Sequence, residues 1–502
     1  VGNVSSSKKF FYVALLVSLL IAFFLDLRAT DYPFFPVDDA YTTLHNAEVI
    51  QAGQDRNFGE VSPLTGATSA VHLALVAGLL HLFPSAWASF AAGWIALVLY
   101  ALGLAYLAFV HRASAVLAAI VVLVGLGVGL TLHQLFNGLE TGLAMAGLTW
   151  ALALTGAYED HPRWPRLLLY GQLPFLRPEL AAAVVLFWWL EAWRHWKQTG
   201  WGRQTAKAVA FDIGITLLGA APWLLWYQVS LGLPVPTSVE AKRLYFSEGC
   251  LPASVKLSWV AESLWSFAKT VGLLLVGFVL LFRSRLGWIG VGFVAVFLLA
   301  YYLLFPGALA HYEQRYMYVL VPFLVFGFVS CLASTHEKLV RSVTVLLILL
   351  TAQSLWNGST ALERNRLNAG FTKTELVDLT SWCRDNLSPD AVLLIHDAGY
   401  ISHATDFRLV DFVGLKTPSS VHLHRSITWP TCGLGRGQAV HEIALGAHPD
   451  YLVMLQGWNR IYKITQSLRT RGWRLDEVRR PDGGEGYSVY RLGVPSITGT
   501  SR

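Results

Sequence analysis

Residues 286–305 read LGWIGVGFVAVFLLAYYLLF, residues 306–316 PGALAHYEQRY, and residues 317–334 MYVLVPFLVFGFVSCLAS. Two apolar runs flank a short polar loop, and each approaches the roughly 18 or more apolar residues that a bilayer-crossing helix needs. Arg283 and Arg285 precede the first run, and Lys338 and Arg341 follow the second. Cytoplasmic loops of membrane proteins collect Lys and Arg, so residues 306–316 are expected on the opposite, outer side. This hairpin of two crossings sets the frame for the rest of the chain.

The same pattern repeats outward from it. Basic clusters stand at Lys8-Lys9, His111-Arg112, Arg163 with Arg166, and Arg194 to Lys207. Apolar runs lie between them at 114–133, 142–157, 207–228 and 257–282, with a last one at 340–356. The chain has 502 residues, 54% of them hydrophobic and 14% charged, and its mean hydropathy is +0.47. A soluble protein averages about 25% charged residues. The fold class expected is therefore a polytopic α-helical membrane protein. The run Phe10–Leu25 is expected to be a retained first helix, because residues 26–31 show no small-x-small cleavage pattern.

Two stretches interrupt the simple count. Residues 67–110 hold two apolar runs around Pro84, and residues 167–190 are broken by Arg177-Pro178-Glu179. The latter reads as a pair of half-helices, since irregular backbone at membrane depth is tolerated only beside protein or a water-filled cavity. About eleven to thirteen crossings are expected, with the amino terminus in the cytoplasm and the carboxy terminus outside. Outer loops fall at 27–66, 134–141, 229–256 and 306–316.

From residue 366 the runs shorten to strand length: Ala391–His396, Leu409–Val413, Tyr451–Leu455 and Tyr487–Leu492. Turn signals such as Asp482-Gly483-Gly484 separate them. Residues 1–365 are thus expected to form the membrane module and residues 366–502 a small extracytoplasmic α/β domain. The net charge of +6 is scattered over loops without the single basic face of a nucleic-acid binder. The four cysteines have no metal-ligand spacing, nor do the histidines of the tail. Cys383 and Cys432 are candidates for a disulfide if the tail is extracytoplasmic.

Unusual polar residues gather in the outer loops. The first carries Asp38 and Asp39, followed by Tyr41, and the second Glu140. Adjacent acids at a helix start have an ordinary explanation as caps or dipole partners, and so does Glu140. Arg177 and Glu179 lie in an apolar run, where ionisable groups default to a functional hypothesis, with a mutual ion pair as the alternative. Thr237 and Lys242 stand in the third loop, His311 and Arg315 in the fourth. Cations on the outer side run against the positive-inside tendency. Anionic lipid headgroups would explain them, and so would a specific phosphate, which Arg and Lys bind by charge-assisted hydrogen bonds. A carboxylate with several cations suits glycosyl transfer from a lipid phosphate: the acid deprotonates a hydroxyl and the cations stabilise the departing phosphate. No Gly-rich phosphate loop or His-rich metal box is present. No cofactor is required, and the pattern leaves room for a divalent metal.

Asp38-Asp39-Ala40-Tyr41-Thr42-Thr43-Leu44 with Thr68-Ser69 resembles the first outer loop of bacterial GT-C glycosyltransferases, multi-spanning enzymes that use polyprenyl-phosphate sugars. Gly138-Leu139-Glu140-Thr141, Leu176-Arg177-Pro178-Glu179, Pro236-Thr237 through Ala241-Lys242, and Arg315-Tyr316 followed by Pro322 fall in the order of that group. So do Trp382, Asp397-Ala398-Gly399-Tyr400 and Val410-Asp411-Phe412-Val413-Gly414-Leu415. The pattern looks most like the arabinofuranosyltransferases that use decaprenyl-phosphate arabinose, and their relatives in pilin and cell-wall glycosylation. The resemblance implies inverting transfer on the periplasmic face of the bacterial cytoplasmic membrane, with a first-loop acid as base, Asp38 ahead of Asp39. It implies a polyprenyl-phosphate sugar donor and a glycan or pilin-like protein acceptor, among membrane lipids and without nucleic acid. Lys242, Arg177 and Arg315 are candidates for the donor phosphate. Glu140 and Glu179 would orient sugar hydroxyls or hold the cations, with His311, Tyr41 and Thr237 nearby. A lipid-sugar flippase or transporter, a pyrophosphate-linked glycan polymerase or ligase, and a non-catalytic sugar-lipid receptor are the rival readings.

Overall fold

A computed structural model describes residues 34–157, 162–481, 485–493 and 495. The expected first helix at Phe10–Leu25, the start of the first outer loop and the Asp482-Gly483-Gly484 turn lie outside the described residues. After α1 (Asp38–Ala52) come α2 (Ala70–Leu79), α3 (Ser85–Val110), α4 (Ala115–Gly127), α5 (Thr141–Gly156), α6 (Trp164–Leu176), α7 (Leu180–Thr199) and α8 (Arg203–Leu231). Then follow α9 (Ser238–Phe246), α10 (Ala253–Val271), α11 (Arg285–Leu304), α12 (Val321–Leu332) and α13 (Glu337–Phe371). Among the described residues, six helical segments are long and apolar enough to cross a membrane, and three shorter apolar helices accompany them.

The outer faces of these helices are apolar rather than charged. On α8, Phe211, Leu218 and Leu225 recur every seventh residue and are exposed. An exposed apolar stripe along a helix that also buries its other side suits lipid rather than water. Inside, glycines let helices touch: a Cβ on Gly277 would strike the Leu324 carbonyl, and one on Gly327 the Gly277 carbonyl. Backbones in such contact gain the close packing that membrane helices rely on.

The break at Arg177-Pro178-Glu179 is real. Arg177 is extended, with φ −155° and ψ 134°, between α6 and α7. Pro178 explains it, because the ring disfavours helical backbone at the preceding residue. At the opposite end of α6, Arg166 donates to both oxygens of Glu191 on α7, at 3.1 and 3.2 Å. Asp212 on α8 pairs with His195 at 2.8 Å and Arg163 at 3.4 Å. Glu191, His195 and Asp212 bring metal-capable atoms together, but arginines already neutralise both acids, so the cluster clamps three helices.

The tail forms a five-stranded mixed sheet in the order β2-β1-β3-β5-β4. The strands are β1 (Val392–Ile395), β2 (Arg408–Asp411), β3 (Tyr451–Leu455), β4 (Arg474–Arg479) and β5 (Tyr487–Gly493). β1 runs parallel to both β2 and β3, while β5 is antiparallel to β3 and β4. The Cys383–Cys432 disulfide does not form. Cys383 is buried in the apolar core beside β1, whereas Cys432 is exposed.

The sheet is riveted to α1 and the segment that follows it. Lys416 is fully buried, its ammonium 3.3 Å from Asp55 and 2.5 Å from the Asn46 side-chain oxygen. Asn57 donates to the carbonyls of Thr405 and Phe407, and its own carbonyl accepts from Leu409 N at 2.9 Å. A buried ion pair is retained only where hydrogen bonds satisfy it, and these partners come from segments about 360 residues apart.

Candidate active site

α1 starts at Asp38, so both acids occupy its first turn, with Val37 at the N-cap position. Carboxylates there meet the partial positive charge of free N–H groups. Neighbours on a helix point about 100° apart, and the two acids accordingly face different bodies. Asp39 Oδ2 lies 3.2 Å from Lys242 Nζ and 3.1 Å from Arg315 Nη2. Asp38 turns to the sheet domain, where its carboxylate oxygens accept N–H bonds from Gly399 at 2.8 Å and Tyr400 at 2.7 Å.

Their acidities separate in the same way. Burial raises the pKa of Asp39, but the Lys242 ammonium and Arg315 guanidinium outweigh it and hold the group at about 2. Burial, joined by the nearby Asp397 carboxylate, pushes Asp38 up to about 8 against the lowering effect of its two N–H donors. Two adjacent acids thus differ because one looks at cations and the other at a carboxylate.

Arg315 reaches the cleft from an unusual turn. Tyr312, Glu313 and Gln314 have φ of 45°, 58° and 59°, three successive non-glycine residues in the left-handed region. Such conformations cost about 1–3 kcal/mol each and persist only where surroundings over-determine them. Here Gln134 donates to the carbonyls of Tyr312 and Glu313, Gln314 donates to Ser266, and Arg364 pairs with Glu313. Arg315 itself is 3% exposed. Its Nη2 also donates to Tyr316 Oη at 2.9 Å, while Nε and Nη1 have no hydrogen-bond partner among the described residues.

The cleft is lined by Asp39, Glu140, Lys242 and Arg315, with Thr42, Thr43 and Thr68 and, from the sheet domain, Leu415. Arg177 stands behind it, fully buried, 3.3 Å from Glu140 and 2.7 Å from Glu179, with its guanidinium over the Tyr316 ring. The Tyr316 ring therefore has two arginines beside it, Arg177 at 4.6 Å and Arg315 at 4.8 Å from its centroid. Tyr41 is buried away from the cleft, its hydroxyl accepting from Phe35 N and its ring edge-on to Tyr400. Thr237 precedes α9 and its buried hydroxyl has no partner among the described residues. His311 packs against Phe246 and Phe305. Trp458 and Tyr400 are core aromatics, and Trp429 lies under Arg243.

Thr42, Thr43, Thr68, Tyr316 and Leu415 stand in the quoted motifs but were not among the candidate site residues. Thr42 and Thr43 follow the acids by one helical turn, a spacing that could have marked them. Leu415 ends the quoted tail motif, but only tertiary docking brings it to the cleft. α9 is held from the sheet side: Arg436 donates to the carbonyls of Tyr245 and Phe246, and Tyr245 is buried in the sheet core among Phe412, His424 and Trp458. Lys242 is one turn away on the same helix. A carboxylate beside two cations with spare N–H groups can hold an anion and accept a proton within one cleft.

A family model described as a domain of unknown function, DUF8728, matches residues 364–490. No curated protein matches the sequence. Among solved structures, ArnT from Cupriavidus metallidurans bound to undecaprenyl phosphate is similar with a TM-score of 0.56 at 11% identity, covering 95% of this chain and 97% of that chain. The same ArnT in its apo state gives 0.54 at the same identity and coverage. The chain is a polytopic membrane protein of the GT-C fold with a small C-terminal sheet domain.

Proposed function

We propose that the chain is an inverting glycosyltransferase that moves a sugar from a polyprenyl monophosphate to a glycan or protein acceptor. The site would face the outside of a bacterial cytoplasmic membrane, with residues 366–502 as an extracytoplasmic domain. Arabinofuranose is the sugar that the sequence resemblance favours. One observation carries the reading: Asp39 is clamped by Lys242 and by a buried Arg315 that keeps two N–H groups unpartnered among the described residues. The fold it shares with an ArnT that binds undecaprenyl phosphate supports the donor class.

Asp39, rather than Asp38, is the base in this proposal. The acceptor O–H gives its proton to Asp39 while the oxygen attacks the anomeric carbon. The bond from that carbon to the phosphate oxygen breaks, and the phosphate leaves with the electron pair, stabilised by Lys242 and Arg315. By themselves those cations make Asp39 a weak base. An arriving phosphate draws on the same cations and restores basicity where the proton must go. Arg177, paired with both Glu140 and Glu179, forms the wall that orients Arg315 through Tyr316.

The test is release of free polyprenyl phosphate from synthetic polyprenyl-phosphate arabinose and hexose by the purified protein. Asp39→Asn should lower turnover by about 10²–10⁴-fold, the usual worth of a general base, with the folded fraction unchanged. Asp38→Asn should keep far more activity per folded molecule. Equal turnover in Asp39→Asn and wild type would remove Asp39 from the role. Folded protein that releases nothing from any monophosphate donor would favour a pyrophosphate-linked ligase.

A further inference from the structure

Two of the four cysteines are isolated from any other: Cys331 is buried on α12 and Cys383 in the core of the sheet domain. The other two meet. Cys250 lies in the outer loop just past α9, and its thiol reaches the Trp429 carbonyl at 4.0 Å. The backbone N–H of Cys432 donates to that same carbonyl at 3.1 Å, and the Cys250 side chain interacts directly with that of Cys432. The surrounding chains are in close approach on both sides of the pair. A Cβ on Gly249 would sit 3.4 Å from the Trp429 ring, and one on Gly433 3.6 Å from Ser247 Cβ. Arg243 covers Trp429 from above, its guanidinium 4.7 Å from the ring.

We infer that Cys250 and Cys432 are a cross-linking site, joined as a disulfide that staples the Lys242-bearing loop to the sheet domain. The inference rests on the outward-facing sidedness proposed above, because disulfides persist in oxidising compartments such as the bacterial periplasm and not in the cytosol. The oxidant is a protein disulfide of the envelope. The exposed Cys432 thiolate attacks one of its sulfurs, giving a mixed disulfide and releasing the other sulfur as a thiolate. Cys250 thiolate then attacks the Cys432 sulfur, forming the Cys250–Cys432 bond and displacing the second thiolate of the oxidant. The two protons lost by the cysteines end on the two thiols of the reduced oxidant, so two electrons pass to it. The staple fixes the loop that follows α9 at the point where Arg436 already grips the carbonyl end of that helix.

The test is alkylation with N-ethylmaleimide of full-length protein from cells whose envelope is oxidising, denatured without reductant and weighed intact. Two adducts are expected, rising to four after reduction, with a Cys250–Cys432 linked peptide after digestion. Four adducts without reduction, or a link involving Cys331 or Cys383, overturns the pairing. Cys250→Ser treated in intact cells with a membrane-impermeant maleimide separates the two ways of failing. If Cys432 is labelled from outside while wild type shows four free thiols, the pairing falls and the sidedness stands. If labelling needs permeabilised cells, the sidedness falls and takes the cross-link with it.

Discussion

Gly399→Ala is the substitution that most directly challenges how the sheet domain sits on α1. An added Cβ would press on the Asp38 carbonyl oxygen and come to 2.6 Å from Asp38 Oδ2 and 2.7 Å from the Asp38 carbonyl carbon. Two of those atoms are backbone, so no side-chain rotation relieves the clash, and the domain must withdraw. Overpacking of this kind costs about 1–3 kcal/mol. Withdrawal also stretches the two N–H bonds to the Asp38 carboxyl, which is mostly protonated at neutral pH, and weakening two bonds between neutral groups costs about 1–2 kcal/mol. A loss of about 2–5 kcal/mol at this contact is expected, which shifts docking by roughly thirty-fold to several thousand-fold at about 1.4 kcal/mol per decade. The assay is hydrogen exchange of full-length protein in detergent, read at residues 38–44 and 397–404. Both segments should exchange faster in the variant. Gly446→Ala is the control: its Cβ meets nothing within 4 Å and it lies in the helix Arg436–Ala447, so it should be neutral or stabilising by up to about 1 kcal/mol. Unchanged exchange in Gly399→Ala would refute the docking geometry.

Two further outcomes follow from buried charge. Glu191→Gln removes the buried carboxylate shared by Arg166 and Arg194, and breaking a buried pair costs about 3–5 kcal/mol; the midpoint of denaturant unfolding in detergent should fall, and an unmoved midpoint would refute the clamp. Asp38 titrates near 8 in the folded chain against an ordinary value of 3.8. Its protonated form therefore favours docking below pH 4, and that contribution is lost as the pH rises from about 4 to 8. Protease sensitivity around residues 397–404 should grow over that window in wild type and flatten in Asp38→Asn; a wild-type trend in the opposite direction would contradict the assignment.

The helical, apolar character of the chain was legible because hydropathy reports it directly: the apolar runs and the break at Arg177-Pro178-Glu179 are local signals. Four of the five strands were legible for the same reason. β4 was not, since Arg474-Leu475-Asp476-Glu477-Val478-Arg479 is a polar edge strand with a single fully buried side chain, Leu475. The site was legible as a set of residues but not as an arrangement. A pair of acids in sequence does not say which faces Lys242 and which faces Gly399, because that depends on the entry angle of α1 and on a domain some 360 residues downstream. Lys416 with Asp55, and Cys250 with Cys432 in place of Cys383, are likewise products of docking that leave no periodic trace.

Tyr245 gives this docking an evolutionary consequence. The sheet domain does not own its whole core: one of its central aromatic rings is supplied by α9, from the membrane half of the chain. A C-terminal domain moved alone onto another membrane scaffold would arrive with a hole where Tyr245 belongs and with Arg436 gripping no helix. The two halves are therefore not interchangeable cassettes. A viable graft must carry residues 238–250 with the sheet, and recombination within this lineage is expected to respect that seam rather than the one that hydropathy draws near residue 366.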